Sequence, residues 1–117
     1  MSSEPDLTSA VAALERSRTA VLGLAADCCE PHRTPHLEAL AGLLGQASEQ
    51  ITDLTAAMDP LPVIARLEDA GAAAGRLQVG CCAPGRIPLY AEVLEGLMTA
   101  QRVITRELRL EHGGTLG

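Results

Sequence analysis

Two stretches hold most of the side chains in this chain that can do chemistry. CCEPHRTP runs from Cys28 to Pro35 and CCAPGRIP from Cys81 to Pro88, and both read Cys-Cys-x-Pro-x-Arg-x-Pro. Between them they use all 4 cysteines of the 117 residues, and the second begins 53 positions after the first. Cys28, Cys29, Cys81 and Cys82 are therefore candidates for one site made of two equivalent halves.

Four thiolates suit a soft metal: Zn²⁺, Cu(I) or an iron–sulfur cluster. The spacing is not that of a zinc finger or a ferredoxin. Adjacent cysteines span one tetrahedral ion awkwardly, because neighbouring side chains diverge. They reach two atoms of a polynuclear centre more naturally. The pattern thus favours an iron–sulfur cluster, with Cu(I) or Zn²⁺ as alternatives, serving electron transfer, sensing or metal handling.

Arg33 and Arg86 recur at one offset, four residues after the second cysteine of each pair. A guanidinium there offsets thiolate charge and donates hydrogen bonds to sulfur; the bland alternative is solvation, or pairing with Glu30 or Glu38. His32 and His36 belong to the first copy alone, where Gly85 and Leu89 stand in the second. They are additional ligands or proton carriers of an asymmetric site, or exposed turn residues. His112 has no partner in either motif.

Other readings compete. A metal-free thiol switch, or a disulfide staple linking the two motifs, uses the same cysteines; a link across that separation restricts the unfolded chain by about 4 kcal/mol. Cysteine also serves as a small buried hydrophobe, and a duplicated turn duplicates its residues whatever they do. In a plain helical interaction module the thiols are incidental. The alternating charges of Arg102 to Glu111, the apolar Leu108 and Leu110, and the small run Ala72 to Gly75 suit a homodimer or a protein partner. Enzymatic readings gain little, since the chain has no P-loop, nucleophile elbow, H-E-x-x-H or Glu-x-x-His pair.

The elements that must carry these motifs are helical. Apolar residues make up 47% of the chain, mostly Ala, Leu, Val and Ile, and Tyr90 is its one aromatic residue; Ala and Leu lead the helix propensity scale. Leu37, Leu40, Leu44, Ala47, Ile51, Leu54 and Met58 alternate steps of three and four, the spacing of a packed helix. The same offset leads to Tyr90, Val93, Leu97, Ala100 and Ile104. Upstream of the first motif, Leu7, Val11, Leu14, Val21, Ala25 and Cys28 form a stripe interrupted by Arg18, with Leu67, Ala74 and Leu77 as counterparts ahead of Cys81. Ser3 or Asp6 can cap the first helix and Thr34 the second, while Pro62 and Pro88 can open the third and fourth.

The expected fold is all-α: one domain over 1–117, an up-down-up-down four-helix bundle built from two duplicated hairpins, at about 5–58 and about 61–112. Parallel first and third helices would bring both cysteine motifs to one end. A net charge of −6, with neither basic patch nor aromatic platform, argues against nucleic acid. No apolar run approaches the roughly 20 residues of a membrane span. The acidic start MSSEPDLTSA lacks the positive region of a secretory signal, so the expected location is cytoplasmic, where thiols stay reduced unless they bind metal or do redox work.

Overall fold

The computed structural model describes residues 6–26, 34–54, 58–79 and 87–108. Within them the chain forms four helices: α1 (Thr8–Ala26), α2 (Thr34–Thr52), α3 (Leu61–Val79) and α4 (Ile87–Leu108). Each helix packs on the next in sequence, and α1 closes the ring against α4. Cross-helix bonds give the directions. Ser48 near the end of α2 donates to Glu15 early in α1, and Arg66 early in α3 donates to Gln46 and Gln50 late in α2. At the far end of α4, Glu107 accepts from the backbone N–H of Asp6, just ahead of α1. Neighbours therefore run antiparallel in an all-α four-helix bundle.

The core is the apolar stripe of the sequence. Leu37, Leu40, Leu44, Ala47 and Ile51 are buried, as are Tyr90, Val93, Leu97, Ala100 and Ile104. The stripe of α1 does not lapse at Arg18, because the helix buries Ser17 one position earlier, between Leu14 and Val21. The expected run of α2 through Met58 is corrected. The helix ends at Thr52, where Leu54 N–H turns back to the Ile51 carbonyl at 3.1 Å, and Met58 lies 48% exposed.

α3 begins at Leu61 with Pro62 in its first turn, and the cap ahead of it is Asp59. The Asp59 carboxylate accepts from Leu61 N–H at 3.0 Å, and the Pro60 carbonyl takes the first helical bonds, from Val63 and Ile64. Proline suits that slot because its missing N–H would have no helical partner. Asp6 caps α1 in the same way, accepting from Thr8 N–H at 3.2 Å, with Leu7 receiving the bond from Val11.

These features share one offset. Asp59 follows Asp6, Leu61 follows Thr8, Val79 follows Ala26 and Ile87 follows Thr34 by 53 positions each. Every buried residue of α3 (Val63, Leu67, Ala70, Ala74) lies 53 positions after a buried residue of α1 (Ala10, Leu14, Ser17, Val21).

The halves differ in closeness of packing. At the α1–α4 crossing Gly96 sits against Ala13 and Ser17, and the Ser17 hydroxyl, fully buried, donates to the Val93 carbonyl at 2.9 Å. α3 buries four residues where each other helix buries seven, and half of those four are alanines. α3 is thus the weakest-held helix, and its amides are expected to exchange with solvent before those of α1. A Cβ added at Gly71 or Gly75 meets nothing within 4 Å. Gly71→Ala and Gly75→Ala should each stabilise the fold by about 0.5–1 kcal/mol in denaturant titrations, through lost backbone freedom of the unfolded chain. A fall in midpoint would show that α3 packs more tightly than this.

Candidate functional site

Parallel α1 and α3 both finish at the end of the bundle where α2 and α4 begin. Two connections of equal length leave from that end, 27–33 between Ala26 and Thr34 and 80–86 between Val79 and Ile87. They contain Cys28, Cys29, His32 and Arg33 in the first case and Cys81, Cys82 and Arg86 in the second, and all of these lie outside the described residues. Packed helix axes stand about 8–10 Å apart, so the two connections start within one bundle width.

Beneath this end the bundle is apolar. Leu24 in the last turns of α1, and Leu37 and Tyr90 in the first turns of α2 and α4, are each about 1% exposed, and Leu77 of α3 packs half-buried against the same core. Leu77 follows Leu24, and Tyr90 follows Leu37, by the common offset. This floor keeps water from one side of the end and lowers the dielectric there, which strengthens any charge interaction made above it.

Helix dipoles contribute little net charge at this end. The N-termini of α2 and α4 bring partial positive charge to this end, but the C-termini of α1 and α3 bring an equal partial negative charge. The four largely cancel. Net positive charge from the repeated motif then rests on Arg33 and Arg86.

His36 is the one candidate within the described residues. It lies on the first turn of α2 and is exposed, beside a groove of about 350 Å³ between α2 and α3 that also takes in Arg76. Ala39, Leu40, Leu43, Ala73 and Leu77 form the groove walls. Sequence reading passed over Arg76 and this groove. A signal was present, since the position equivalent to Gly96 is Leu43, a residue that keeps helices apart. Of the proposed contact residues, Ala74 is buried, which removes it from an outer surface, and Leu108 is half-buried against the core; Leu110 lies outside the described residues.

Among the described residues, no three His, Cys, Asp or Glu side chains gather as a metal site, and no helix is long and apolar enough to cross a membrane. No family model, curated protein or solved structure matches the chain.

Proposed function

We propose that the protein is an internally duplicated pair of helical hairpins that holds a soft metal at one end through Cys28, Cys29, Cys81 and Cys82. The placement of the four helix ends carries the reading: Ala26, Thr34, Val79 and Ile87 share one end of the bundle, and the two connections that contain the cysteines leave from it. The duplication is supported by the shared offset of caps, helix starts and buried positions. Vicinal pairs in both halves favour a polynuclear centre, an iron–sulfur cluster first and Cu(I) or Zn²⁺ next. Arg33 and Arg86 offset the thiolate charge. The roles that suit such a site are electron transfer, sensing and metal handling.

The test is purification of untagged protein without oxygen, followed by an absorption spectrum and elemental analysis of one sample. Iron with acid-labile sulfide, in constant ratio to protein, is the expected result. Zinc or copper without sulfide would keep the site and change its metal. Colourless, metal-free protein with all 4 thiols free would overturn the reading. A reversible oxidative mass change in that sample would favour the thiol switch instead.

A further inference from the structure

We infer that the groove between α2 and α3 is a binding site for a small organic carboxylate with an apolar tail. The inference stands independently of the thiols, because each residue it uses is on a described helix.

The groove exists because the two seams between the hairpins close differently. At the α1–α4 seam, Gly96 lets the helices approach until Ser17 bonds across to Val93. At the α2–α3 seam, Leu43 occupies the position equivalent to Gly96 and Ala70 the position equivalent to Ser17, so neither the close approach nor the bond is available. Further along, Arg66 spans the seam, donating to Gln50 at 2.6 Å and to Gln46 at 2.8 Å. Between that bridge and the cysteine end a space of about 350 Å³ is left, with walls of alanine and leucine. That volume is at the lower end for small-molecule sites, which are mostly apolar with a few polar groups that fix orientation.

The charge at the mouth selects the head group. Among the described residues, the two lining residues with polar heads are Arg76, in the last turn of α3, and His36, in the first turn of α2, and no carboxylate lines the groove. The salt bridges seen among the described residues are Arg18–Glu15 and Arg106–Glu107, which leaves Arg76 without a carboxylate partner there. The N-terminus of α2 and the C-terminus of α3 meet at this mouth with opposite partial charges. The preference therefore belongs to the side chains. In a chain of net charge −6 this is an apolar slot with a cationic mouth. A guanidinium recognises a carboxylate through paired N–H bonds. From His36 to Leu43 the slot runs about 10 Å along α2, which matches a medium-length alkyl chain.

The test uses octanoate and, as its charge-reversed equivalent, octylammonium. Titrating octanoate into the intact protein should shift the methyl NMR signals of Ala39, Ala73 and Leu77 saturably and leave that of the exposed Leu22, on α1, in place. Octylammonium should not do so. Arg76→Gln, at an exposed position, should weaken octanoate at least about fivefold. Ala39→Leu, which fills the groove from an exposed helix position, should abolish binding while leaving the melting curve unchanged. Equal shifts with octylammonium, unchanged affinity in either variant, or no saturable shift with octanoate would each overturn the proposal.

Discussion

Replacing Gly96 by alanine is expected to lower the thermal midpoint by about 5–15 °C, the shift that about 1–3 kcal/mol of overpacking produces in a domain of this size. The added Cβ would overlap the Ser17 hydroxyl and stand 2.6 Å from the Ala13 carbonyl oxygen. The hydroxyl can rotate away, but it then loses its bond to the Val93 carbonyl and is left buried without a partner. The carbonyl belongs to the helix backbone and moves only with α1. Alanine at 96 therefore pushes apart two helices whose contact is the closest seam between the hairpins. In the double variant Ser17→Ala/Gly96→Ala the hydroxyl clash is gone but the carbonyl remains, so stability should return only in part. Gly42→Ala supplies the opposite sign within the same protein: a Cβ there meets nothing within 4 Å, and the exchange should stabilise by about 0.5–1 kcal/mol. Thermal melts followed by circular dichroism measure all three. A Gly96→Ala protein that melts at or above the parent would show that α1 and α4 do not meet this closely.

The contrast between Gly96 and Gly42 marks where sequence reading stops. Periodicity identifies α2 and α4 because Leu37 to Ile51 and Tyr90 to Ile104 repeat at helical spacing, and burial follows that spacing. It undervalues α1, whose core contribution at one turn is Ser17, a residue that apolar scales count as outward. Only the neighbouring helix, which supplies the Val93 carbonyl, makes that burial tolerable. The start of α3 was legible in Pro62, but its cap was not. Asp59-Pro60-Leu61-Pro62 reads as a chain break, yet a carboxylate followed by proline is also a cap followed by a residue that needs no N–H partner. A comparison with Asp6-Leu7-Thr8 at the common offset makes the second reading visible.

The end of the bundle where the motifs attach was legible for a topological reason. Two hairpins of similar length must bring the ends of their first helices to one side, whatever fills the core. The groove was not legible, because it arises where the two hairpins differ, and a search for their common pattern treats such differences as noise. Leu43 against Gly96, and His36 against Leu89, look like simple mismatches between the hairpins until the seam that Leu43 and His36 line is seen to be open.

The proposed duplication also sets the sharpest test of the thiol site. Cys29→Ser and Cys82→Ser occupy equivalent positions of the two motifs. If each hairpin supplies half of one centre, the two single variants should lose metal to the same extent, and the double variant should retain less than about a tenth of the parent's metal. Helical content should be unchanged in these variants, because serine differs from cysteine by one atom and keeps nearly the same shape. The parent should instead lose thermal stability when its metal is removed, since an ion bound by both halves favours the folded chain by mass action. Elemental analysis of variants prepared side by side, with circular dichroism on the same samples, measures these effects. His32 and His36 make the comparison discriminating, because they exist only in the first half. Were they ligands, His32→Gln or His36→Gln would deplete metal, and the centre would tolerate loss of one cysteine pair better than loss of the other. A symmetric centre predicts metal unchanged in both histidine variants and lost equally in both cysteine variants. Undiminished metal in Cys29→Ser/Cys82→Ser would remove those two residues from the site and leave the repeated cysteines to the fold or to redox chemistry.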